Sequence, residues 1–135
     1  MGDPGGAREQ HAEGDAYELY MRGLQLLESR SAAAAEQVLS RAAQAEPQSR
    51  SILEALGRAQ FDAGRYTSAR ASFSKIVAAN PADDYAHFAL GLSAARTGDL
   101  RTAAEHLALA AAMRPDLSHY GRELRMVRAR IRGAS

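Results

Sequence analysis

The stretch Leu56-Gly57-Arg58-Ala59-Gln60-Phe61-Asp62-Ala63-Gly64-Arg65-Tyr66 reads as the end of one amphipathic helix, a tight turn at Gly64 and the start of a second helix. Its marker residues recur before and after it. Gly57 has counterparts at Gly23 and Gly91, Ala69 at Ala35 and Ala103, Phe73 at Leu39 and Leu107, and Pro81 at Pro47 and Pro115, every step being 34 residues. A constant period of this size, with a helix-turn-helix in each unit, marks a stacked helical array, in which each unit buries its apolar face only against its neighbours.

Outward from that stretch, the pattern predicts three helix pairs and a closing helix. Helix A of the first unit is expected over 16–29 and helix B over 32–45, with Pro47 as the stop, because proline cannot donate to the helix ladder and disfavours helix in the residue before it. The second pair is expected over 50–63 and 67–79, ended by Asn80-Pro81, and the third over 84–97 and 100–113, with Asp99 placed to cap the latter. A seventh helix over 118–132 carries Tyr120, Leu124, Val127 and Ile131 at spacings of four, three and four, one apolar stripe, with Arg122, Arg125, Arg128, Arg130 and Arg132 elsewhere on it. It is apolar inward and polar outward, as a terminal helix of an open stack must be. Residues 1–14, with Pro4 and four glycines, have almost nothing to bury and read as a flexible tail; Asp15, with Glu18 three residues on, reads as the first N-cap. The expected domain is 15–132, with repeats over 16–49, 50–83 and 84–117.

The in-phase small residues suggest close crossing of the paired helices. Glycine inside a helix costs ~1 kcal/mol relative to alanine. Three at one phase are expected where packing repays them: Gly23, Gly57 and Gly91 on the A helices would face Ala35, Ala69 and Ala103 on the B helices. Leu39, Phe73 and Leu107 would then fill the groove of the neighbouring pair, and Leu53, Leu56 and Leu90 are core knobs.

These residues resemble the tetratricopeptide repeat family. The second unit matches at Leu53, Leu56-Gly57, Gly64, Tyr66, Ala69, Phe73 and Pro81. The third matches at Leu90-Gly91, Gly98, Ala103, Leu107, Ala110 and Pro115, and the first at Leu19, Gly23, Leu26, Ala35, Leu39, Ala42 and Pro47. Departures are Arg22 for the usual leucine, Arg30 for the usual glycine and Gln60 for the usual aromatic residue. The resemblance implies an all-α fold, a right-handed α-solenoid of three antiparallel helix pairs with a seventh capping helix.

Composition excludes several chemistries. With no cysteine, the chain has no disulfide, thiol nucleophile or thiolate metal site. The formal net charge of +1 gives no general nucleic-acid footprint. No apolar run reaches the ~18 residues of a spanning helix, and the N-terminus has no apolar signal region, so a cytoplasmic location and no membrane insertion are expected. Heavy use of Arg, Ala and Gly suggests a bacterial coding sequence. The histidines, His11, His87, His106 and His119, form no ligand set on one helical face and are expected to be solvated or packed. No catalytic set, metal site, cofactor motif or small-molecule site is found, and the chain is not expected to be an enzyme.

Binding of a protein or peptide is the expectation instead. The family resemblance implies a concave groove lined by the A helices. Carried onto this chain, it offers Tyr17, Tyr20, Leu24 and Leu27, then Ser51, Glu54, Arg58, Phe61 and Asp62, then Tyr85, Phe88, Leu92 and Arg96, and finally His119, Arg122, Met126 and Arg130. Such a wall, aromatic and rich in arginine, suits a partner with apolar anchors and some acidic character. Some members of the family grip a chaperone's C-terminal carboxylate with Lys, Asn and Arg. The matching positions here are Tyr20, Leu24, Ala55, Tyr85 and Ala89, which cannot make those bonds. Two other roles stay open: anionic-surface or nucleic-acid binding through the arginines after Ser118, which no aromatic stacking platform accompanies, and a homodimer or larger homo-oligomeric scaffold.

Overall fold

The computed structural model describes the backbone of residues 4–134 and the side chains of residues 14–134. All regular structure among the described residues is helical: α1 (Pro4–Glu28), α2 (Ala32–Ala45), α3 (Arg50–Asp62), α4 (Tyr66–Ala79), α5 (Asp84–Arg96), α6 (Leu100–Met113) and α7 (Ser118–Ala134). From α2 on, each helix begins and ends within two residues of its expected bounds. The first helix does not: it starts at Pro4, and Asp15 is an interior residue rather than a cap. Pro4 suits a first helical turn, where its missing N–H has no partner to lose. The glycines after it lower helix propensity without blocking the ladder. The other side chains of the segment expected as a tail lie outside the described residues.

The chain divides into two compact units, Met1–Gly64 with α1 to α3 and Arg65–Ser135 with α4 to α7, the division falling at the Gly64 turn. In the first unit, α1 packs on α2 and α3, and α2 on α3. Ala35, Leu39, Ala55, Leu56 and Ala59 form one buried cluster, with Tyr20, Leu24, Leu26 and Leu27 of α1 laid against it. A second cluster joins Ala16, Ala42 and Ile52. Gly23 makes the α1–α2 crossing close: a Cβ built on it would stand 2.4 Å from Leu39 Cγ. Leu39 is fully buried there. Gly23 therefore receives the large Leu39 side chain as its nearest neighbour.

The second unit repeats this crossing. A Cβ at Gly91 would meet Leu107 Cγ at 2.8 Å and the Ala103 carbonyl at 3.1 Å. Leu107 thus seats within its own helix pair, where a neighbouring pair was expected. A hole in one helix is filled by a knob from the next, and burying a leucine (roughly 1.5–3 kcal/mol) outweighs the glycine's propensity cost. Phe88, Ala94, Ala95, Ala103, Leu107, Ala110, Tyr120, Leu124 and Val127 form the core of this unit.

Turn chemistry sets the helix ends. Gly64 and Gly98 have φ of +80° and +87°, and Arg30 takes the same left-handed region at +61° in the link that lacks glycine. Ser49, Asp83 and Asp99 cap α3, α5 and α6 through side-chain oxygens that accept from the N–H groups of Ile52, Ala86 and Thr102. Asp99 also accepts from Arg70 Nη2 at 2.9 Å, tying α4 to the start of α6. The Thr102 side chain and backbone, then Arg70, hold its carboxyl below the usual carboxylate range.

Candidate functional site

The second unit carries eight of the seventeen residues expected to bind. Tyr85, Phe88, Leu92 and Arg96 follow one another by three or four along α5, so they share one side of it. The structure grades them by depth. Phe88, expected in the wall of the groove, is buried (9% exposed) and belongs to the core. Its ring stacks on Tyr120 with centroids 4.5 Å apart, and His119 meets it edge-on at 5.2 Å. Two aromatic partners from α7 hold it, so it serves as a foundation for its neighbours. Tyr85 is half-buried and meets Phe73 edge-to-face at 6.2 Å. Leu92 is half-buried against the same core.

Arg96 is exposed, and a partner missed by the sequence reading steadies it. Its guanidinium carbon lies 5.3 Å from the centre of the Tyr66 ring, and Nη1 donates to the Tyr66 hydroxyl at 3.1 Å. The signal was Tyr66 at the start of α4, thirty residues before Arg96, near the end of the helix after it. On α7, Arg122, Met126 and Arg130 are exposed, Met126 by 56%. They lie on the flank that also holds His119, which touches α5 through Phe88. The Tyr120 hydroxyl donates to Asp84 Oδ2 at 2.7 Å and anchors α7 to the first turn of α5. Burial, then the Asp84 bond and charge, push that phenol well above its ordinary range.

In the first unit the expected residues also differ in depth. Tyr17 is 65% exposed, Arg58 is exposed, and Phe61 is half-buried. Tyr20 and Leu24 are half-buried because they cover the Leu39–Leu56 cluster. Glu54 pairs with Arg50 rather than with Arg58.

A polar cluster absent from the sequence reading lies between α5 and α6. His87 Nδ1 is 2.9 Å from His106 Nδ1, and His87 Nε2 is 2.7 Å from the Pro81 carbonyl. A carbonyl only accepts, so His87 carries its proton on Nε2. Its Nδ1 lone pair then accepts from His106 Nδ1–H. His87 is buried, 4% exposed. Burial first, and the neighbouring His87 second, lower the affinity of His106 for a second proton. The pair follows from helix register. One turn back from Gly91 on α5 is His87, and one turn on from Ala103 on α6 is His106. Both Nδ1 atoms are taken up by this bond, and among the described residues no three His, Cys, Asp or Glu side chains gather into a metal-ligand set. No described helix is long and apolar enough to cross a membrane.

Comparison with known proteins places this arrangement. The family model described as Tetratricopeptide repeat matches residues 20–84 and 54–118. No curated protein sequence matches the chain. Solved structures do match in fold. The first TPR of Spaghetti (RPAP3), bound to an HSP90 peptide, is 18% identical, covers 91% of this chain and 96% of its own, and has a TM-score of 0.82. MamA from Desulfovibrio magneticus RS-1 is 24% identical, covering 90% and 68%, at a TM-score of 0.83. The Yersinia enterocolitica type III secretion chaperone SycD, with a peptide of the translocator YopD, is 18% identical, covering 84% and 92%, at 0.75.

Proposed function

Since the chain belongs to the tetratricopeptide repeat family, we propose that it is a protein-interaction module that holds a peptide or helix of a partner protein, with no catalytic step of its own. Several similar folds were solved with peptides, among them the RPAP3 domain with an HSP90 peptide and SycD with a YopD peptide. The observation that carries the reading here is the α5–α7 surface of the second unit. Buried Phe88 supports half-buried Leu92, Arg96 is steadied over Tyr66, and Arg122, exposed Met126 and Arg130 stand on the adjoining flank of α7. Apolar contact beside the Tyr66-steadied guanidinium of Arg96 and the exposed arginines of α7 suits a ligand with an apolar anchor and at least one carboxylate. Tyr17, Tyr20, Leu24, Arg58 and Phe61 would form the corresponding face of the first unit.

The proposed mode is not a carboxylate clamp. Ala55 and Ala89, at two of the positions concerned, are buried and have no polar atom to offer. Fluorescence polarisation against a library of labelled peptides, with apolar and acidic positions varied independently, tests the reading. Arg96→Glu and Met126→Asp should each weaken the selected acidic-apolar peptides about tenfold or more, as loss of a central contact does. Equal affinity of both variants for those peptides, or preference for basic ones, would refute it.

A further inference from the structure

The near-zero net charge is unevenly shared along the chain. Residues 65–135 hold eleven basic groups against six carboxylates, a balance of +5. Five of the eleven lie on α7, whose one carboxylate is Glu123. Elsewhere in this unit Arg70 is held by Asp99, Arg96 by Tyr66 and Arg114 by Asp116. On α7, Arg132 also has a partner. Among the described residues, Arg122, Arg125, Arg128 and Arg130 are exposed and enter no hydrogen bond or ion pair. The helix dipole favours cations only in the last turn, and Arg122 and Arg125 lie in the first half of α7. Four unpaired like charges on one helix therefore have no account within the molecule.

Their placement selects a partner. At ~100° per residue, Arg128, Arg125, Arg122 and Arg130 spread over an arc of roughly 200°, opposite the buried Tyr120–Leu124–Val127 stripe. Ala129, exposed and small, stands at the crest of that arc. Along the axis the four span ~12 Å, about one charge per 4 Å. One strand of a nucleic-acid duplex carries a phosphate every ~3.4 Å. An acidic peptide would need a carboxylate at nearly every position to match this, and on one flank it would reach only part of the arc. Insertion into a membrane surface needs apolar side chains among the cations, and within this arc only Met126 supplies one. Single strands are held by stacking on exposed aromatic rings, whereas Tyr120 is buried. A helix with arginines on both flanks and a small residue at its crest fits a duplex groove, where guanidinium groups meet phosphates on either wall.

We propose that the outer face of α7 binds the phosphate backbone of a nucleic-acid duplex, without sequence preference, through Arg122, Arg125, Arg128 and Arg130. Arg122 and Arg130 also border the peptide face proposed above. Arg125 and Arg128 do not, so each of the two readings can fail alone.

Fluorescence anisotropy of a labelled random-sequence DNA duplex, titrated with the full chain, tests this. Between about 0.05 and 0.2 M salt the logarithm of the association constant should fall against that of salt with a slope of about −3 to −4, from four phosphate contacts. The double change Arg125→Gln and Arg128→Gln should weaken binding roughly tenfold or more and reduce the slope by about two. Helical circular dichroism and melting temperature should be retained, since both positions are exposed. Arg41→Gln with Lys75→Gln removes the same charge from exposed positions away from α7 and should bind as the wild type does. No duplex binding at 0.05 M salt overturns the proposal, as does a flat salt dependence, a double variant that binds like the wild type, or a control that loses as much. Polyglutamate, or vesicles of phosphatidylserine and phosphatidylcholine, bound as tightly through Arg125 and Arg128 would assign the face to an acidic protein or a membrane and likewise overturn it.

Discussion

His87 and His106 share one hydrogen bond between their Nδ1 atoms, 2.9 Å apart, and that bond can form in only one sense while the Pro81 carbonyl holds the other nitrogen of His87. The folded-state pKa of His106 lies below its ordinary 6.5, through burial first and His87 second. The unfolded chain therefore binds that proton more tightly. The His106 contribution to stability is fully present above about pH 7 and is lost as pH falls through the unfolded value, by at most about 1.4 kcal/mol per pH unit. Melting temperature followed from pH 7.5 to 5 should fall for the wild type and fall less for His106→Gln. Asp99 and Asp116, whose carboxyls lie below the usual 3.8, act only in a more acid window.

Gly91→Ala should destabilise the chain by about 1–2 kcal/mol, although alanine is the better helix former. The propensity gain of ~1 kcal/mol is smaller than the ~1–3 kcal/mol cost of overpacking. Here the added methyl would press on the buried Leu107 and on a backbone carbonyl that cannot yield. Gly133→Ala supplies the contrast, for its Cβ meets nothing within 4 Å, and it should leave stability unchanged or slightly raised. Urea denaturation of the two variants measures the difference.

Arg30→Gly should stabilise the first unit. Arg30 holds φ at +61°, where a Cβ costs roughly 1–2 kcal/mol. Glycine removes that strain and restores some unfolded-state freedom, leaving a net gain of about 0.5–1 kcal/mol. A lower denaturation midpoint for the variant would contradict this account of the turn.

Phe88→Ala should cost about 3–5 kcal/mol of stability, the range for a buried aromatic residue. Met126→Ala, on the neighbouring exposed flank, should stay within about 0.5 kcal/mol. Chemical denaturation separates a foundation residue from a contact residue in this way before any ligand is known.

Periodicity made the helices readable. Gly23, Gly57 and Gly91, with the recurring prolines, put six helices within two residues of their observed bounds, because these residues act through local backbone constraints. The first helix was misread, since Asp15-x-x-Glu18 looks like a capping box whether or not the helix has already begun. Spacing put Leu92 and Arg96 on the same side of α5 as Phe88, but depth could not be read from it. Phe88 is buried because Tyr120 and His119 of another helix cover it, and helical phase alone carries no such information. The histidine pair was hidden for a related reason: it depends on the register between α5 and α6, visible only once Leu107 is known to sit on Gly91.

The bond from Tyr120 to Asp84 bears on how this chain can be shortened. Trimming it before Ser118 would remove the ring that shields Phe88 and the hydroxyl that engages the opening turn of α5. The sixth helix would also lose the side chains of Leu124 and Val127 that complete its core. A truncated product of that kind would be prone to precipitate, so α7 belongs to the smallest fragment worth expressing.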